Sequence, residues 1–181
     1  MPYYEILDTP PARTDFSDDV YSTIGRALTV ASRFETSCKA LALLLGIRKQ
    51  DPASGSFSLT RPEDLEALIA EISKRRLFQQ IESVVARLKL PEEATRLFHA
   101  ARNDRNFVAH ELTLGIDRLL ESDQRVAHLK EDLAVRVGRL AMADLGVCLL
   151  LLMETRESLP TLEFISGYAE TVKRWVCDSA S

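Results

Sequence analysis

The segment VYSTIGRALTVASRFETSCKALALLL, residues 20–45, decides the fold class. Its apolar side chains recur at steps of four and three residues, which is helical periodicity sustained over about seven turns. These positions are Val20, Ile24, Ala27, Ala31, Phe34, Cys38, Leu41 and Leu45. Asp18 and Asp19 stand where the dipole of a helix N-terminus favours acidic side chains, and Gly46 marks the predicted end. The segment therefore predicts a long helix of a bundle.

Helical spacing continues through the rest of the chain. Residues 131–157 show the same spacing of apolar side chains and are almost entirely apolar from Leu140 to Met153. This second long helix is therefore expected at the centre of the bundle. No segment alternates strongly between apolar and polar residues as a half-buried strand does. The sequence therefore predicts an all-α bundle of about five to six helices, two of them long. The shorter helices are predicted over 62–73, over 75–89, from Pro91 past Val108, and over 161–177.

The predicted organisation is one folded unit with an N-terminal extension. Residues 1–15, with three prolines among polar residues, indicate an extended arm, and residues 16–178 are expected to form a single all-α domain. Residues 48–62 concentrate Pro, Gly and Ser and predict a loop. Residues 112–130 fit a helix extension, a short hairpin or a loop equally well.

Composition excludes several classes of protein. The 181 residues are 46% hydrophobic, which suits one globular domain and excludes disorder. Three widely spaced cysteines support neither a disulfide framework nor a zinc site, and they favour the reducing cytoplasm. No signal peptide is recognisable, and the longest apolar run, Leu145 to Met153, is far shorter than the ~20 residues of a membrane span. A soluble protein without membrane contact is expected.

Charge is distributed unevenly along the chain. The net charge of −4 argues against a protein that coats nucleic acid over its whole surface. Residues 74–105 nevertheless hold eight basic and four acidic side chains, a local net charge of +4 that leaves −8 for the remainder. This stretch would guide an anionic partner if its charges share one face. The charges fit a distribution around several helices equally well.

One short motif carries recognisable chemistry. The sequence Arg105-Asn106-Phe107-Val108-Ala109-His110 lies late in the helix that starts at Pro91. It resembles the R-x(4–6)-H motif of the HEPN family (higher eukaryotes and prokaryotes nucleotide-binding domains), in which Asn, Asp or His typically follows the arginine. HEPN domains are all-α bundles of about this size. The resemblance covers the motif and otherwise only the helical architecture and the length.

The resemblance implies a metal-independent endoribonuclease, such as a toxin of a toxin–antitoxin pair or a phage-defence effector, that needs no cofactor. Histidine exchanges protons near neutral pH, so His110 is expected to move a proton at the reacting oxygens. Arg105 is expected to stabilise the negative charge of the transition state, and Asn106 to position the phosphate or the imidazole. We expect Arg102 and His99 to bind RNA phosphate.

Helix geometry adds a requirement for a partner. Residues five apart are about 140° apart around a straight α-helix, so Arg105 and His110 are not expected to reach one atom from such a helix. HEPN proteins are typically homodimers whose motif helices meet near the two-fold axis, and the resemblance implies a composite site of that kind. An antitoxin protein is a further expected partner, with RNA or a nucleotide as the ligand.

Two acidic residues are candidates for supporting roles. Asp144 is the one charged residue inside the apolar stretch of its helix, so it needs a basic partner, expected to be Arg26, Arg33 or Arg105. It either forms a structural ion pair or supports Arg105. Glu35, on the first long helix, either reaches the motif or is an exposed surface residue.

Two alternatives to the enzyme remain open. A non-cleaving HEPN-like module that binds nucleotide, RNA or protein has the same motif, and Arg105 and His110 also fit ordinary solvated positions of a helix. One HEPN branch carries a tyrosine two residues after the histidine, which a partner nucleotidyltransferase modifies. Leu112 occupies that position here, so this mode of control is not expected.

Overall fold

The computed structural model describes residues 14–50, 62–112, 120 and 122–178. Its fold is all-α, as predicted, and six helices are delimited within these residues. One of these helices continues directly into a π-helical turn. The helices are α1 Asp15–Gln50, α2 Pro62–Lys74, α3 Leu77–Leu88, α4 Glu92–Asn106 with the π-turn Phe107–Glu111, α5 Asp123–Thr155 and α6 Leu162–Cys177.

The core forms where the two long helices, α1 and α5, pack along each other. Phe34 and Leu41 of α1 and Leu133 and Leu140 of α5 are fully buried. Each buried side chain of this size stabilises the fold by about 1.5–3 kcal/mol relative to exposure. The central position predicted for the second long helix is therefore confirmed, and α4 and α6 pack against the same helix.

Both long helices extend further than their apolar patterns predict. Helix α5 begins at Asp123 rather than Glu131, so residues 123–130 of the undecided segment are helical. Helix α1 continues through Gln50, past Gly46 and into the predicted loop. Gly46 therefore lies inside the helix and does not end it. A Cβ at this position would lie 3.2 Å from Leu68 Cδ1 of α2. This glycine serves close helix packing.

Several predictions fall outside the described residues. These are the extended arm up to residue 13, the part of the predicted loop over residues 51–61, and residues 113–119 and 121 of the undecided segment. Among the described helices, none is both long enough and apolar enough to cross a bilayer.

A buried carboxylate fixes α4 against α5. Asp104 accepts hydrogen bonds from Nε of Arg139 at 2.7 Å, from Nη2 of Arg139 at 2.9 Å and from Nη1 of Arg136 at 3.2 Å. The Arg136 guanidinium also lies 3.8 Å from the ring centroid of Phe107, the first residue of the π-turn. The two arginines thus hold the end of α4 and the start of the π-turn in one place.

Replacing Asp104 should destabilise the protein more than replacing its exposed neighbour. We expect Asp104→Ala to lower the free energy of unfolding by about 2–3 kcal/mol, because two arginines lose a buried carboxylate. Asp132 also binds Arg136, at 2.7 Å, but its side chain is 48% exposed, so Asp132→Ala should cost less than about 1 kcal/mol. Urea denaturation measures both, and equal losses would contradict this role of Asp104.

Candidate functional site

The π-turn decides the geometry of the Arg105–His110 motif. Leu112 donates its backbone N–H to the carbonyl oxygen of Phe107 at 2.9 Å, a bond from residue i+5 to residue i. In an α-helix the bond spans four residues, so the π-turn is wider and brings residues five apart towards one face. Arg105 and His110 have this spacing. The local widening therefore aligns the two side chains that a regular α-helix would separate.

Arg105 and His110 meet within one chain. Nη1 of Arg105 lies 3.2 Å from Nε2 of His110, and Nε2 accepts the hydrogen bond when the imidazole is neutral and protonated on Nδ1. The separation of about 140° that we expected around one helix does not occur, because that expectation assumed a straight α-helix and the helix is π-helical where His110 lies. The composite site between two chains stays a prediction.

Glu35 and Asn106 orient the Arg105 guanidinium. Nε of Arg105 donates to Oε2 of Glu35 at 2.8 Å, and Nη2 binds the same carboxylate. Nη1 also donates to Oδ1 of Asn106, at 3.3 Å. One edge of the guanidinium is therefore held by Glu35, and Nη1 is left between Asn106 and His110. Of the two alternatives for Glu35, the structure shows the one in which it reaches the motif.

These side chains line an open cleft of about 370 Å³ between α1, the start of α3 and the end of α4. The cleft is lined by three arginines, a histidine and an exposed aromatic ring, and by only one carboxylate among its lining residues. Its net charge is therefore positive and favours an anionic ligand. Arg76 and Phe78 were not predicted as site residues. The lining residues are Glu35, Arg76, Leu77, Phe78, Arg102, Arg105, Asn106 and His110.

The missed residues lie just before and within the first turn of α3. Leu77, Ile81 and Val84 form the buried face of this helix, and Phe78 falls outside that face. An aromatic residue off the apolar stripe of a short helix was the signal that could have identified it. Arg76 is the N-cap residue of α3, and nothing in its local sequence distinguishes it from the neighbouring basic residues.

Of the two expected phosphate-binding residues, one lines the cleft and one does not. The Arg102 guanidinium lies 5.1 Å from the centroid of the Phe78 ring, and its Nη2 donates to Oδ1 of Asn103. Nε of Arg102 is buried without a hydrogen-bond partner in the described part of the chain. His99 pairs with Glu82 at 3.0 Å and packs beside Phe78. Its contacts place it next to the cleft rather than in the lining.

Asp144 belongs to a different cluster. Its carboxylate is buried and accepts from Ser37 Oγ at 2.6 Å, from Arg33 Nε at 2.9 Å and from Tyr168 Oη at 3.3 Å. Arg33 was one of the three predicted partners. Asp144 therefore forms the structural ion pair, and the carboxylate that supports Arg105 is Glu35.

Burial and the Asp144 charge together set the pKa shifts of this second cluster. Burial, assisted by that charge, raises the pKa of the Cys148 thiol and of the Tyr168 hydroxyl. For Arg33, burial has the largest influence and opposes protonation, but the Asp144 carboxylate, Tyr168 and Cys148 together outweigh it and raise the pKa. All three groups thus keep their protonated forms at neutral pH.

The basic stretch over residues 74–105 is divided between surfaces. Arg76, Arg102 and Arg105 line the motif cleft. Arg75 and Arg87 line a separate groove between α1, α2 and α3, and Arg96 pairs with Glu92 one turn away. The cleft therefore receives three of the eight basic side chains.

Comparison with known proteins does not assign this chain to a family. It matches no protein-family model, no curated protein and no solved structure. The function proposed below therefore rests on the residues of the cleft.

Proposed function

We propose that the protein is a metal-independent endoribonuclease whose active site is the Arg105–His110 cleft. The observation that carries the proposal is the 3.2 Å contact between Nη1 of Arg105 and Nε2 of His110 at the wall of a positively charged cleft. An always-charged guanidinium beside a proton-exchanging imidazole is a combination that suits phosphoryl chemistry. The resemblance of the motif to that of HEPN ribonucleases points the same way.

The proposed reaction uses the ribose 2′-hydroxyl as the nucleophile. His110 takes its proton while the 2′-oxygen attacks the adjacent phosphorus, and the bond from phosphorus to the 5′-oxygen breaks. The leaving 5′-oxygen takes a proton from a water molecule, and the imidazolium of His110 then returns its proton to the solvent, so the products are a 2′,3′-cyclic phosphate and a 5′-hydroxyl. When substrate binds, Nη1 of Arg105 exchanges its contact with His110 Nε2 for contacts with the phosphorane oxygens, and it donates to them as their negative charge develops.

Glu35 and Asn106 act as positioning residues in this proposal. Fixing the guanidinium before substrate arrives avoids reorganisation during the reaction, which is where preorganised charge gains its effect. Glu35 holds two nitrogens of Arg105, and Asn106 accepts from the third. The guanidinium is therefore held in one orientation before a phosphate arrives.

We also propose that the protein forms a homodimer, acts on RNA in the cytoplasm and binds an antitoxin protein. Tyr21 and Leu28 are exposed apolar side chains of α1 that precede Glu35 at intervals of seven residues, so they share its side of the helix. A two-fold contact along this side would place two clefts near each other. The three cysteines, all free thiols, suit a reducing compartment.

One observation favours a second candidate, a binding module that does not cleave. Glu35 already neutralises much of the Arg105 charge, and a partly neutralised arginine binds an anion without stabilising a highly charged transition state as strongly. In that case the cleft would hold RNA or a nucleotide and release it unchanged.

The reaction chemistry distinguishes the two candidates. We expect purified protein to cleave single-stranded RNA in EDTA and to leave 2′,3′-cyclic phosphate ends, because the 2′-hydroxyl is the nucleophile. A 2′-deoxy substitution at a cleaved nucleotide should abolish cleavage at that position and leave the other positions unchanged. Mass spectrometry of the products measures both. Products with a 3′-hydroxyl, or undiminished cleavage at the substituted position, would exclude this mechanism.

A further inference from the structure

The cleft carries a feature that the proposed cleavage reaction does not use, an exposed phenylalanine in its wall. Phe78, the second residue of α3, is 46% exposed and lines the same cleft as Arg105 and His110. Exposing a large aromatic ring to water forgoes the stabilisation that burial would bring. A ligand that covers the ring would recover that stabilisation.

Side chains of α4 hold the Phe78 ring in place. The Arg102 guanidinium lies 5.1 Å from the ring centroid, and the His99 ring centroid lies 5.8 Å away at an angle of 38°. His99 is in turn paired with Glu82 of α3. The ring is therefore held by contacts with a cation and an imidazole while the residue stays 46% exposed.

The turn before α3 is anchored as well. The buried Gln80 side chain donates to the carbonyl oxygens of Ile72 at 3.3 Å and Arg75 at 3.1 Å, and Gln79 accepts the Arg76 backbone N–H at 3.0 Å. These bonds close the α2–α3 connection against the start of α3. The wall that carries Arg76 and Phe78 is thus a fixed part of the cleft.

An aromatic ring among arginines suits an unpaired nucleotide. Arg76, Arg102 and Arg105 supply positive charge for the phosphates, and Phe78 supplies an apolar face for a base. Bases of a duplex are stacked on each other, so only an unpaired base can offer its face to a side chain. We propose that Phe78 is a base-stacking subsite that selects single-stranded RNA. This inference rests on the proposed function, because it assigns the substrate class of the same cleft.

The test measures binding separately from cleavage. The probe is a short, fluorescently labelled single-stranded RNA with 2′-O-methyl groups at every ribose, which blocks attack by the 2′-oxygen. Fluorescence anisotropy gives its affinity for the wild-type protein and for Phe78→Ala, Phe78→Tyr and Phe164→Ala. Phe164 is a matched control, because it is 52% exposed and lies on α6 away from the cleft.

We expect Phe78→Ala to weaken binding of the single strand by about 5- to 150-fold, the range that loss of one stacked base gives. Phe78→Tyr keeps the ring and should bind within about twofold of wild type, as should Phe164→Ala. The same probe annealed to its complement should bind more weakly to the wild-type protein. Wild-type affinity in Phe78→Ala, or a preference for the duplex, would overturn the subsite.

Failure of the subsite and failure of the proposed function give different results. If unmodified RNA is cleaved equally by the wild type and Phe78→Ala, and both bind the probe equally, the subsite is wrong and the nuclease stands. If unmodified RNA is never cleaved but probe binding still depends on the Phe78 ring, the nuclease is wrong and the stacking subsite stands.

Discussion

His110→Ala should lower the rate of RNA cleavage by about 10²- to 10⁴-fold, the usual contribution of a positioned general acid or base. His110 is exposed and lies at the cleft, so its loss should leave the fold unchanged. Initial rates on a labelled single-stranded RNA measure the effect. Thermal unfolding of the same preparations shows whether stability is retained.

His128→Ala is the matched control for this substitution. Its side chain is 73% exposed and lies on α5, within 3.5 Å of Glu131 and outside the cleft lining. We expect it to cleave RNA at the wild-type rate. A comparable loss of rate in both histidine variants would show that His110 has no specific role in the reaction.

Arg105→Ala is expected to have the second-largest effect, a loss of about 10²- to 10³-fold in cleavage rate. The variant removes the donor that would face the phosphorane, and it leaves the Glu35 carboxylate without its partner. Arg105→Lys keeps the charge but not the forked donors, so it should recover only part of the rate.

Arg96→Ala is the control for loss of a positive charge from the same helix. Arg96 lies on α4 and pairs with Glu92 on the exposed surface, so its removal should change the rate by less than about twofold. If Arg96→Ala and Arg105→Ala lose rate equally, general attraction of RNA by positive charge explains the result, and the proposed role of Arg105 fails.

Helical periodicity was sufficient to predict the fold class. The steps of three and four from Val20 to Leu45 mark the buried side of α1, and the apolar stretch from Leu140 to Met153 marks the central helix. Helix ends were predicted less well. Asp123 to Lys130 is helical although its apolar spacing is weak, because packing and a continuous backbone hydrogen-bond ladder support a helix beyond its apolar pattern.

The candidate site could be predicted only in part. The sequence identified Arg105, Asn106 and His110, but it treated their helix as regular and so separated two side chains that lie 3.2 Å apart. A π-turn locally increases the number of residues per helical turn. The spacing of apolar residues along the sequence does not reveal a single widened turn. Phe78 and Arg76 were missed because they reach the cleft from another helix.

The ion pairs show the same limit. Glu35 and Asp144 were both candidates to support Arg105, and Arg33 and Arg105 were both candidates to pair with Asp144. The structure pairs Glu35 with Arg105 and Arg33 with Asp144. Which residues pair depends on how α1 is rotated about its axis relative to α4 and α5. The spacing of residues along a single helix does not reveal that rotation.

RNA cleavage by the purified protein in EDTA, compared with His110→Ala and Arg105→Ala in the same assay, is the most direct test of the proposed active site. We predict that the wild-type protein cuts single-stranded RNA without added metal, and that both variants lose at least about 10²-fold in rate. Equal cleavage by all three proteins, or no cleavage by any of them, would contradict the assignment of this cleft as a ribonuclease site.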